Sequence, residues 1–316
     1  MNTRPRYVGN GPYCFTNSLA MMLGAGAPPV AVLETLTGSP FGFQLLAGKL
    51  PLFDPLGWNP DLGLDQAIEL LGYAAERTTH TDDHEALAEL RNALEVGPVM
   101  AGPLDMGLLA HQPGSDRASG ADHFVLVTSA DTETVAFHDP QGHPYATLPT
   151  SVFLAAWRGE QIGYLDAPYA MRTYMRRVRD ITETEALREM LPLAREWTRG
   201  RDLPTPPGTL GGADGYHALA ALVRNPEPDL LSMLAHFSIR VGARRRGDAA
   251  HCLRSIGHPE AASCLEAQAV ELGRLQYASV VGDGVALAAG CVRLAELHED
   301  LLRLLNCSPR DAAVTN

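Results

Sequence analysis

The feature that most limits the folds open to this chain is a change of hydrophobic period near Tyr169. Beyond it, residues 181–198, 213–224, 227–246, 259–277 and 284–306 carry apolar side chains at the i, i+3, i+4 spacing of an amphipathic helix, with almost no two-residue alternation. The breaks are a Pro/Gly loop at 202–212 and a Gly-Asp-Gly turn at 282–284. Helices of this kind hide their apolar stripes against one another, which predicts an all-α bundle. Ahead of Tyr169 the pattern is mixed. Helical spacing covers 14–25, 29–38, 63–72 and 83–95, and the last of these opens behind a capping side chain, Thr81 or Asp82. Gly97 to Ala101 reads as a buried strand leading into Leu104-Asp105-Met106. Further strands are expected around His123, around Val135 and near Ile162 to Leu165, with a helix at 151–159 between the last two. The expected architecture is therefore an α+β domain over 1–168 followed by a helical domain over 169–316 that completes a cleft.

With 316 residues, 46% of them hydrophobic and 20% charged, the chain can bury the cores of two domains. A net charge of −12 excludes nucleic acid as the expected partner. The longest apolar runs, near Leu219 to Val223 and Val285 to Ala289, are broken before they reach membrane-spanning length. The opening MNTRPRYVGNG has no apolar signal-peptide core, so the expected location is the cytoplasm. Five widely spaced cysteines argue against a disulfide framework. Cys252, Cys264, Cys291 and Cys307 fall in helical patterns and read as structural thiols, and the spacing of His251, Cys252, His258 and Cys264 matches no zinc site. No metal or cofactor is expected.

Cys14 differs from the other four. In GNGPYCFTNSLAMMLG a Gly/Pro turn delivers it onto the apolar run Phe15, Leu19, Met22, Leu23, which places the thiol in the first turn of a helix. Unpaired N–H groups and the positive helix end there favour thiolate over thiol. Much later, ADHFVLVTSADTETVAFHDP reads as two antiparallel strands, with His123 opening the first and Asp139 closing the second, so the two side chains become neighbours. An imidazole can take and return the thiol proton, and a carboxylate on its other nitrogen fixes the tautomer. Asp139-Pro140 is also an ordinary turn start, while His138 belongs on the opposite strand face, which leaves His123 as the base. The Gly- and aromatic-rich segment holding Phe41 and Phe43 is a candidate wall of the substrate cleft, with Asp105 and Met106 as further substrate contacts. Two arginine runs, Arg172, Arg176, Arg177, Arg179 and Arg244 to Arg246, suit an acidic carrier protein or a phosphopantetheine phosphate.

The helix-start cysteine, the His-Phe-Val-Leu-Val strand and the His-Asp-Pro strand end resemble the C39-like, bacteriocin-processing branch of papain-like enzymes over about residues 1–168. Joined to a helical region containing FSIRVGARRRGDAAHCLRSIG, the whole is similar to the butirosin biosynthesis protein H family. The resemblance implies an acyltransferase of specialised-metabolite (antibiotic) biosynthesis with Cys14, His123 and Asp139 as its triad. An acyl group would pass from an acyl carrier protein thioester to Cys14 and then to a small amine acceptor. Papain-like enzymes place an oxyanion-binding Gln just before the cysteine. The stretch RPRYVGNGPYC has none, and Asn10, its only carboxamide, is the candidate oxyanion donor together with the Cys14 backbone N–H. Two other readings stay open: a thioesterase or peptidase using the same triad with water, and a protein that binds or cyclises a reactive metabolite without covalent chemistry. The acyl donor, the acceptor and the oligomeric state are not legible.

Overall fold

The structure is a computed structural model that describes residues 12–306. Its elements begin with α1 (Cys14–Leu23), α2 (Val30–Leu36), the hairpin β1 (Gln44–Leu46) and β2 (Leu50–Leu52), and α3 (Pro60–Leu70). Next come β3 (Tyr73–Thr78), α4 (Asp83–Val96), β4 (Val99–Asp105), β5 (Asp122–Ala130), β6 (Thr134–Asp139), β7 (His143–Pro149), α5 (Thr150–Trp157) and β8 (Met171–Arg177). The remainder is helical apart from the two-residue β9 (Leu210–Gly211): α6 (Glu183–Arg199), α7 (Gly212–Leu222), α8 (Pro228–Met233), α9 (Ile239–Ser255), α10 (Pro259–Val281) and α11 (Gly284–Asn306). No described helix is long and apolar enough to cross a membrane.

The chain forms two compact units, but not by a single cut at 168. One contains residues 12–30 and 72–180, and the other 31–71 and 181–306. Two pairings explain the difference. β8 is a central strand of the first unit, paired with both β3 and β4, so residues beyond 168 are needed to finish that sheet. In the second unit β1 pairs with β9, which ties the 31–71 segment to the helical region. The strand expected near Ile162 to Leu165 is instead a turn, closed by a 3.2 Å bond from the Leu165 N–H to the Ile162 carbonyl. The true strand, β8, is masked in sequence by its arginines.

The first unit is built on a six-stranded sheet in the order β3-β8-β4-β5-β6-β7, with every neighbour antiparallel. Val125, Val127, Val135, Phe137, Met171 and Trp157 are fully buried in its core. α1 forms where the sequence predicts. Phe15 and Leu19 supply its buried stripe, and Gly24 ends it in a left-handed conformation at φ 70° that disfavours a side chain. It lies against β5, with the Phe15 and Phe124 rings edge to face at 6.3 Å and Ser18 Oγ donating to the Phe124 carbonyl. The start of α1 is thereby held beside the start of β5.

In the second unit the aromatic core joins Phe43, Phe53 and Tyr216, with the Phe43 and Tyr216 rings stacked at 4.2 Å. Phe41 and Phe43 are fully buried side chains of this unit, which corrects their assignment as a cleft wall. An aromatic pair this large contributes more as core than as lining. In the second arginine run Arg244 is partly exposed beside Asp248 at 3.6 Å, and the other two are corrected. Arg245 is buried between Glu34 at 2.7 Å and Asp54 at 3.0 Å, and Arg246 donates to Gln268, the Gly42 carbonyl and Tyr216. Neither guanidinium is presented to a carrier, because a buried charge holds its partners inside the fold. In the first run Arg172 is likewise buried, while Arg176, Arg177 and Arg179 stay at the surface.

Candidate active site

Cys14 is the first residue of α1 and is partly exposed, whereas Cys252, Cys264 and Cys291 are buried. The first bond of the helix runs from the Asn17 N–H to the Tyr13 carbonyl, so the Cys14 N–H lies ahead of the intrahelical ladder. Burial pushes the distal thiols up, Cys264 to about 11 and Cys291 to about 12, and raises Cys252. They are inert by environment.

His123 is buried in β5, opposite Leu104 of β4. Between Ala101 and Leu104 the β4 register shifts, and Gly102 sits there at φ +148°. A Cβ on Gly102 would meet the Phe124 ring at 2.4 Å, so the bulge that seats β5 requires glycine. On one side His123 Nε2 bonds Asp139 Oδ1 at 2.7 Å, and the ring also lies within hydrogen-bonding reach of the Cys14 thiol. With Nε2 engaged, Nδ1 is the nitrogen left for sulfur. Burial pulls the imidazole pKa down, but the bonds and charges of Asp139 and Cys14 outweigh it and hold His123 up at about 10.

Asp139 closes β6 and is fully buried. Its Oδ1 also accepts the Gln141 N–H at 2.8 Å, so the Asp-Pro turn and the contact to His123 are two uses of one carboxylate. Its Oδ2 accepts from His111 Nε2 at 2.7 Å and Gln112 Nε2 at 2.6 Å. Burial opposes ionisation, yet the bonds from His111 and His123 hold the carboxyl far below the usual carboxylate range. His138, one residue earlier, points elsewhere and accepts the Tyr145 N–H at 3.1 Å through Nδ1.

One predicted contact takes another role. Asp105 spends its buried carboxylate on the loop that follows it, accepting from the Gly107, Ser119 and Gly120 N–H groups at 2.9 to 3.1 Å and from Ser119 Oγ at 3.1 Å. Saturated in this way, it is a loop anchor and not a substrate ligand. Met106 opens the short turn after Asp105, its N–H bonded to the Ala121 carbonyl at 2.8 Å. Asn10 lies outside the described residues. The sequence reading missed His111 and Gln112. They follow the buried Leu109 in the β4–β5 loop, where neither periodicity nor spacing distinguishes a functional histidine from a surface one. Among the described residues, no group of three or more His, Cys, Asp and Glu is placed to hold a metal.

Residues 206–306 match the YobF C-terminal domain family. The chain is 35% identical over 161 residues to the uncharacterized protein YobF of Bacillus subtilis (strain 168), an alignment that covers 50% of this chain and 52% of that protein. The chain thus spans about half the length of the curated relative it matches.

Proposed function

We propose that the first unit is a papain-like cysteine acyltransferase, acting on a carrier-protein thioester and a small amine acceptor. The observation that carries the reading is the His123 ring held between a half-exposed thiol and a buried carboxylate. For attack, the Cys14 proton passes to His123. Sulfur attacks the thioester carbonyl carbon, a new carbon–sulfur bond forms, and collapse of the tetrahedral intermediate breaks the bond to the carrier thiol, which leaves with the His123 proton. The amine then attacks acyl-Cys14 while neutral His123 takes a proton from its nitrogen, and the amide leaves as thiolate and imidazolium are regenerated. The Cys14 backbone N–H at the helix start is the proposed oxyanion donor.

Intact-mass detection of an acyl adduct after incubation with acyl thioesters tests this reading. Wild type should gain one acyl mass, Cys14→Ala none, and an added amine should discharge the adduct as amide. Discharge to free acid alone would make the protein a hydrolase. No adduct on wild type with a range of donors would rule out covalent transfer.

A further inference from the structure

The proposed chemistry leaves one group at the site unused. His111 is almost wholly buried, its ring edge on to Phe137 at 5.0 Å and to His143 at 5.2 Å. Because its Nε2 faces a carboxylate oxygen at 2.7 Å, that nitrogen carries the proton, and in the neutral ring Nδ1 is a bare acceptor. Nδ1 is buried with no hydrogen-bond partner among the described residues.

Asp139 is consequently gripped from both sides. His111 and Gln112 hold Oδ2, while the Gln141 N–H and His123 Nε2 hold Oδ1. A carboxylate fixed at both oxygens cannot rotate away from His123. His123 in turn faces Cys14 and Asp139, and His111 faces Asp139, Phe137 and His143. We propose that His111 is a positioning residue for the nucleophile pair: as an Nε2–H donor it orients Asp139 and so sets the protonation of the imidazole that meets Cys14. This rests on reading Cys14 and His123 as nucleophile and base.

The test is a ring-nitrogen NMR titration of the full chain labelled with ¹⁵N-histidine, with the His123 signals identified by their loss in His123→Ala. In His111→Phe, which cannot donate, the His123 midpoint should fall by about one pH unit, and His111→Gln, whose amide can donate, should recover most of that shift. An unchanged midpoint in folded His111→Phe, or an equal fall in both variants, would overturn the proposal. Should the phenylalanine variant fail to fold, wild type decides alone. The His111 ring must carry a proton on Nε2, and an Nδ1–H tautomer with Nε2 bare would refute the role. The titration needs no substrate, so absence of an acyl adduct would sink the acyltransferase reading while leaving this result standing.

Discussion

At the residue scale, what separates Cys14 from the other described thiols is environment. A helix start and the His123 ring stand against sulfur at Cys14, whereas Cys252, Cys264 and Cys291 are buried. Cys14→Ala and His123→Ala should each abolish turnover. Cys14→Ser should fail as well, because a hydroxyl is far less acidic than a thiol. Asp139→Asn should keep more activity than either, since nucleophile and base survive and only the hold on the ring weakens. Turnover of purified variants measures this order, and activity in Cys14→Ala equal to wild type would end the covalent mechanism. Alanine at Cys252, Cys264 or Cys291 should cost about 1 to 3 kcal/mol in urea unfolding and leave iodoacetamide labelling of Cys14 unchanged.

At the scale of elements, the site depends on how β4 and β5 meet. Gly102→Ala puts a methyl where the Phe124 ring lies 2.4 Å away, and Phe124 is the residue after His123. The strand must shift to admit it, at a cost of about 1 to 3 kcal/mol, and Cys14 alkylation should slow in the folded variant. Alkylation at the wild-type rate would show that the bulge does not set the position of His123. In the second unit, Arg245→Ala leaves Glu34 and Asp54 as buried charges without their cation. Removing one member of such a cluster should lower stability by about 3 to 5 kcal/mol, read from the urea midpoint. A loss below 1 kcal/mol would mean that the site relaxes or admits water.

For the whole molecule, two histidines should shape stability in opposite pH directions. His298 is buried, and burial together with the Arg246 charge lowers it to about 4 against an unfolded 6.5. Its contribution is complete above pH 6.5 and is lost as pH falls toward 4, a drop of about 3 kcal/mol at 1.36 kcal/mol per unit. His123 is raised to about 10, so its contribution is complete below pH 6.5 and is lost as pH rises toward 10. Urea unfolding across this range should show an acid limb that His298→Gln flattens and an alkaline limb that His123→Gln flattens. A profile unaffected by either substitution would refute the assignment.

The sequence by itself determined the segments with long periodic patterns. Helices expected at 181–198, 259–277 and 284–306 lie at Glu183–Arg199, Pro259–Val281 and Gly284–Asn306, because apolar spacing over many turns has one way to be buried. The same holds for Cys14 at a helix start and for His123 opening, and Asp139 closing, neighbouring strands, since local turn and strand chemistry decide both. Tertiary structure decided what depends on a partner far along the chain. The short strands β1 and β2 and the arginine-rich β8 are strands only because another segment pairs with them, so the units interleave where composition suggested one cut. For the same reason Phe43 and Arg245 look like surface recognition groups in sequence and are core in the fold. His111 became part of the site through a loop whose course is set by Leu109 in the core and Asp105 on the backbone amides, contacts that no local pattern records.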